Sequence, residues 1–292
     1  MKGLLLILAL TAALRAQADD HAVVLLYHHV SNDTPAATSV SPAVLERHLQ
    51  FLEQQQFTVW TLGQILETLA AGNPLPANTV ALSFDDAYLS VFTQAYPRLK
   101  QRGWPFTLFV NSETIDRGYQ HYMNWDQIRE LTGAGVEIGN HSHSHAHLVR
   151  QGEQESTRQW RKRVRADITL AQQRIREETG ANATLFAYPY GEYSAALKEL
   201  VAALGLRGIA QQSGAVGIGS DQLAIPRFPM ATGYADMQRF ALAVNARPLP
   251  VRSAVAVSTQ RTDGADEQLQ LQLDPGAYQC PPLACYRSTG KP

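Results

Sequence analysis

TVALSFDDAYLSVFTQAYPRLKQRGWPFTLFV, residues 79–110, decides how the chain folds. It opens on an apolar run, TVALSF, passes two carboxylates, continues through a helical pattern that ends at Gly103, and closes on a second apolar run, FTLFV. Short apolar runs of this kind suit strands buried on both faces, and a helix between two such strands is the crossover of a parallel sheet. The unit repeats in both directions. Upstream, AVVLLYHHV (22–30) precedes a helix that Ser41-Pro42 caps and starts, with Leu45, Leu49 and Leu52 on one face, and FTVW (57–60) precedes GQILETLAAG. Downstream, FTLFV precedes WDQIRELTGAG, VEIGN (136–140) precedes a charged helical stretch near 155–179, TLFAYPY (184–190) precedes SAALKELVAALG, and LRGIA (206–210) follows.

Alternation this regular predicts an α/β fold, a (β/α) barrel of about seven parallel strands, closed or nearly closed, in preference to an open doubly wound sheet. No glycine-rich phosphate loop accompanies it. After about Pro248 the pattern changes to period two, in VRSAVAVSTQ and QLQLQLD, so residues 249–292 are expected to form a short β-rich C-terminal tail that packs on the barrel or pairs as a hairpin. The only cysteines, Cys280 and Cys285, flank Pro281-Pro282 and are compatible with a terminal disulfide or with two thiols.

At the other end, MKGLLLILALTAALRAQADD combines a lysine, a short apolar run and the small-x-small triplet Ala16-Gln17-Ala18, the pattern of a secretory signal peptide over residues 1–18. The run is too short for a stable span, and no later segment approaches transmembrane length. Removal of the leader would move the formal charge from −1 to −3, leaving a domain over 19–248 with nothing to suggest nucleic-acid binding. The expected location is the periplasm or envelope.

In both barrels and open α/β sheets chemistry sits where strands end on the carboxyl side. Here those ends carry His28 and His29, Asp85 and Asp86, the run NHSHSHAHL (140–148), and Tyr188-Pro189-Tyr190-Gly191. Two adjacent carboxylates would repel in a partly buried site unless a cation or a shared proton relieved them, and a divalent metal would do so. Two imidazoles and a carboxylate would leave zinc an open position for water. Both His141/His145 and His143/His147 have a spacing that can converge on one ion, and spacing does not choose between them.

SFDDAY, H-S-H-S-H and FAYPYG, in that order, resemble the three motifs of the polysaccharide deacetylases (NodB-like, carbohydrate esterase family four). The resemblance implies Asp85 as general base and Asp86, His141 and His145 as ligands of a divalent metal, most simply zinc, with cobalt, nickel or iron as alternatives. His143 and His147 then fall to loop roles. It further implies that the Tyr190 backbone N–H holds the developing oxyanion and that Tyr188, Pro189 and Tyr190 line the substrate pocket. The arginine that in many members pairs with the base is replaced by Ala187, and no histidine follows His147 to act as the late acid. A subgroup similar to poly-β-1,6-N-acetylglucosamine deacetylases has a Tyr-His pair on the first strand, which implies His28 as the acid. Arg227, in LAIPRFPM (223–230), is expected either to face the site and contact substrate or to be a structural arginine at a strand end.

The function implied is metal-dependent hydrolysis of N-acetyl groups from a β-linked N-acetylglucosamine polysaccharide, with metal-bound water as nucleophile, and with polysaccharide-export proteins of the envelope as partners. Acetylated xylan or peptidoglycan would suit the same site, and a non-catalytic glycan- or zinc-binding protein is the reading from another class. His21, His48 and His121 lack comparable company, and His48 is expected at a helix surface. Trp104, Trp125 and Trp160 suit the core better than a sugar platform.

Overall fold

The computed structural model describes residues 18–248, 251–261 and 264–273; residues 1–17 of the expected leader, Cys280 and Cys285 lie outside them. Chain contacts divide the protein into two units, one through Pro248 and one from Leu249 onward. In the second unit Val251–Arg261 and Gly264–Leu273 pair as an antiparallel hairpin.

The first unit is built on six parallel strands: β1 (His21–Tyr27), β2 (Thr79–Phe84), β3 (Thr107–Val110), β4 (Glu137–Asn140), β5 (Leu185–Ala187) and β6 (Arg207–Ile209), each hydrogen-bonded to the next in that order. Every residue of β2 is buried, which is why its sequence shows no alternation. Of FTVW only Thr58–Val59 joins the sheet, beside β2. The sheet curls until one segment meets both of its edges: Ile225 bridges Ile209, and Phe228–Pro229 pairs in parallel with Leu25 and Leu26 of β1. The result is a curled, mostly parallel barrel with a short seam at residues 225–229. Sequence periodicity does not show the seam, because a bridge and a two-residue pair have no period.

Helices α1 (Pro42–Gln54), α2 (Leu62–Ala70), α3 (Tyr96–Gln101), α4 (Ser112–Asp116), α5 (Trp125–Gly133), α6 (Thr157–Thr179), α7 (Ala195–Ala203) and α8 (Met237–Val244) surround the sheet. Ser41 caps α1 by accepting from the Val44 N–H, as its place before Pro42 predicts. The helix expected after Asp86 is broken into a π-helical segment, Val91–Ala95, before α3. Pro97 has no N–H to donate and crowds the carbonyl four residues back, so the backbone widens there. Inside the sheet Val24, Ala81, Phe109, Ala187, Ile209 and Ile225 form one apolar cluster with Leu62, Ile65, Leu66 and Leu69 of α2. Trp160 is buried and donates to the Leu148 carbonyl, while Arg102 lies over Trp104 and Arg174 over Trp125. Among the described residues no helix is long and apolar enough to cross a membrane.

His48 departs from its expected surface position. It is fully buried between α1 and α8, stacked on Phe240 at 3.9 Å, with Nδ1 3.0 Å from the Tyr27 hydroxyl and Nε2 2.8 Å from the Ala235 carbonyl. A neutral ring satisfies both contacts, with Nε2–H donating and Nδ1 accepting from Tyr27. Burial, opposed by the Ala235 carbonyl, lowers its pKa to about 4. The unfolded chain therefore binds the extra proton first as pH falls, and stability drops from pH 6.5 toward pH 4. Over pH 7 to pH 5 this group accounts for a loss of about 2 kcal/mol. Denaturant unfolding at the two pH values should show a smaller loss in His48→Gln, and an equal loss in both proteins would contradict the assignment.

Candidate active site

The site lies at the carboxyl ends of β1 to β5. Asp85 directly follows β2, and its N–H donates to the Tyr27 carbonyl at the end of β1. Beyond it the chain turns through Asp86 (φ +71°) and Ala87 (φ +54°), both left-handed. The turn faces the two carboxylates to different partners. An alanine in this region carries strain that glycine does not. Ala87→Gly should raise the unfolding free energy by about 1 kcal/mol, net of the entropy glycine adds to the unfolded chain, and calorimetry would register this as a higher Tm.

The histidine run is folded by its serines and Asn140. Asn140 Oδ1 accepts from the Ser142 N–H at 2.8 Å and Ser142 Oγ from the His145 N–H at 2.9 Å, while Ser142 and His145 adopt left-handed φ values. This tight reversal brings the rings of His141 and His145 to 4.8 Å between centroids. His143 turns away: its ring nitrogen meets Ser112 Oγ at 2.8 Å and its N–H donates to Asp167 of α6. His147 pairs with Glu192 at 2.8 Å and stacks on Tyr190 at 3.9 Å. The four histidines thus divide by their hydrogen-bond partners.

One ligand atom each from Asp86, His141 and His145 lies within 4.8 Å of the other two. Asp86 Oδ1 is 3.5 Å from His141 Nε2 and 3.2 Å from His145 Nε2. His141 Nδ1 donates to the Ala187 carbonyl at 2.8 Å, so Nε2 presents a lone pair, and that nitrogen is fully buried with no hydrogen-bond partner among the described residues. A buried acceptor without a donor is costly, and a cation would satisfy it. Burial lowers the pKa of both rings, which keeps them in the neutral, ligating form. The residues fit a divalent metal. Asn111, at the end of β3, donates to Asp86 Oδ1 at 3.2 Å and was not anticipated, although the same strand-end rule points to it.

Arg227 follows the structural one of its two readings, and the expected contact with substrate is corrected. Its side chain is fully buried and cannot line a substrate pocket. Instead its guanidinium grips Asp85 with both terminal nitrogens, at 2.7 and 2.8 Å, while Nε donates to the Ala210 carbonyl. The ring of Phe109 lies 5.3 Å from the guanidinium carbon, and Gly139 makes room for that ring: a Cβ there would come within 2.4 Å of Phe109. Burial raises the Asp85 pKa, but the charges of Arg227 and His141 and the Arg227 hydrogen bonds outweigh it and hold the carboxyl at about 2. The two carboxylates therefore avoid each other through different partners: Arg227 takes Asp85, and the histidine pair takes Asp86. The seam segment supplies in space the arginine missing at Ala187.

Tyr188 also differs from expectation. It is buried, and its hydroxyl donates to the Leu223 carbonyl. Gly208 accommodates that hydroxyl, which a Cβ would approach to 2.4 Å. Pro189 is buried as well, so of the PYG turn only Tyr190 reaches outward, with a half-exposed ring set edge-on to His145 at 4.7 Å. Tyr190 is left-handed (φ +59°), and its N–H has no intramolecular acceptor among the described residues. His28 is half-buried directly after β1, near enough that a charge on its ring would act on Asp85 and His145. His29 turns from it to stack on Tyr88 at 3.5 Å.

Comparison with known proteins matches residues 72–209 to the polysaccharide deacetylase family model. A curated relative, poly-beta-1,6-N-acetyl-D-glucosamine N-deacetylase of Escherichia coli K12, is 26% identical over 216 residues, which cover 61% of this chain and 32% of that protein. The enzyme of the same name from Staphylococcus aureus MRSA252 is 24% identical over 196 residues, 65% of this chain and 67% of that one. The chain thus spans about a third of the E. coli relative's length. Among solved structures, the deacetylase PplD of Streptococcus pyogenes superposes with a TM-score of 0.68 at 19% identity, covering 77% of this chain and 98% of that one. IcaB from Ammonifex degensii superposes at 0.66 and 23% identity, covering 78% and 98%. At these identities the two structures establish the shared fold.

Proposed function

We propose that this chain, which carries a polysaccharide deacetylase domain, is a metal-dependent hydrolase of N-acetyl groups on a β-linked N-acetylglucosamine polymer of the cell envelope. The observation that carries the reading is the pairing of a ligand cluster, Asp86, His141 and His145, with a second carboxylate, Asp85, that Arg227 keeps ionised beside it. A pure binding site has no use for that second carboxylate.

A divalent metal held by the three ligands, zinc being the simplest, would supply Lewis acidity, acidifying a water and polarising the acetyl carbonyl. Asp85 Oδ2 lies 3.9 Å from His141 Nε2, and each Asp85 oxygen keeps a lone pair free of Arg227 with which to take the proton of the attacking water. The Tyr190 N–H faces the developing oxyanion, a contact worth about 3 kcal/mol in the transition state. His28 delivers the proton that the departing glucosamine nitrogen needs. Secretion to the periplasm and partners of the polysaccharide-export machinery remain part of this proposal.

The test is acetate release from a β-1,6-linked N-acetylglucosamine hexamer by zinc-loaded protein, with acetylated xylan in parallel. Release from the hexamer that stops on chelation and returns with zinc is expected. Release from the xylan alone would move the assignment to an ester, and no release from either with zinc bound would overturn it.

A further inference from the structure

A row of aromatic rings leads out of the site along a segment the chemistry above does not use. The Tyr88 hydroxyl lies beside the Asp86 carboxylate and the Tyr122 hydroxyl. From Tyr88 the rings continue to Tyr122, with centroids 4.8 Å apart, and then to Tyr119, 6.5 Å farther. Tyr88 and Tyr122 are partly buried, whereas Tyr119 is 48% exposed, so the row begins at a ligating carboxylate and ends in solvent.

The backbone holds this row in place. Leu89 N–H donates to the His121 carbonyl at 2.7 Å and Met123 N–H to the Ala87 carbonyl at 2.9 Å, with an antiparallel bridge between Tyr88 and Tyr122. The segment carrying Tyr119 and Tyr122 is thereby stapled to the turn that sets Asp86. A half-exposed tyrosine fixed in this way offers an apolar face to the C–H side of a pyranose and a hydroxyl to its polar rim.

We infer that Tyr119 and Tyr122 form a sugar-stacking platform that binds a neighbouring residue of the polymer and makes the enzyme prefer chains over single sugars. This rests on the deacetylase reading for the substrate class. Its occupant is a β-linked acetylated hexosamine chain, the substrate of that reading, whose pyranose C–H faces suit the exposed ring of Tyr119 while Arg117, which donates to the Tyr119 hydroxyl at 3.5 Å, is already paired with Glu113.

The test separates binding from turnover. With the zinc-loaded full chain carrying Asp85→Asn, calorimetry should give a Kd for the β-1,6-linked N-acetylglucosamine hexamer at least tenfold below that for the single sugar. Adding Tyr119→Ala should shrink that ratio about tenfold, and Tyr119→Phe should restore most of it. A ratio unchanged by both Tyr119→Ala and Tyr122→Ala overturns the platform, whatever the activity. Platform-dependent binding together with no acetate release by the zinc-loaded protein that retains Asp85 would leave the platform standing and remove the deacetylase reading.

Discussion

Arg227→Met is expected to lower the unfolding free energy by about 3–5 kcal/mol and to abolish most of the acetate release. Both side chains of the Arg227–Asp85 pair are completely buried, and the guanidinium meets the carboxylate with two parallel bonds. Methionine fills much of the same volume beside Phe109 but leaves the carboxylate in a dry pocket without its counter-charge. Burial, which already acts to raise the Asp85 pKa, would then be opposed by far less. The carboxyl would hold its own proton and could not take one from water. Arg227→Lys should fall between the two, since an ammonium restores charge without the planar fork. Denaturant unfolding together with acetate release checks this, and a loss below about 1 kcal/mol in Arg227→Met would contradict the assigned pair.

The contrast between what the sequence foretold and what it concealed follows from range. Strands such as TVALSF and helix starts such as Ser41-Pro42 are decided by neighbours a few residues away, so pattern alone reveals them. Strand-end logic likewise points from the sequence alone to Asp85, Asp86 and the histidine run. Choosing His141 and His145 over His143 and His147 needed a family likeness, because the choice depends on Asn140, Ser142, Ser112 and Glu192, whose hydrogen bonds leave no periodic trace. Arg227 lies 142 residues from Asp85 and reaches it only once the sheet has curled. His48 misled for a related reason: an amphipathic pattern ranks histidine as polar, yet Phe240 of α8 supplied a ring to stack on and Ala235, just before α8, a carbonyl.

Asp85→Asn should reduce acetate release by about 10²- to 10⁴-fold, the loss of a general base, while zinc affinity stays within a few-fold because Asp86, His141 and His145 are untouched. The same change strands Arg227 as a buried cation, so stability should fall too, for the mirror image of the reason that applies to Arg227→Met. The two effects separate in a double-mutant cycle. Combining Asp85→Asn with Arg227→Met removes both charges at once, and the double variant should regain at least about 2 kcal/mol over the sum of the single losses. Activity should behave differently. Because Arg227 acts on the reaction only through Asp85, the double variant should be no slower than Asp85→Asn alone. Additive losses of stability would show that the pair is not coupled in solution, and an extra loss of activity in the double variant would mean that Arg227 has a role of its own at the substrate.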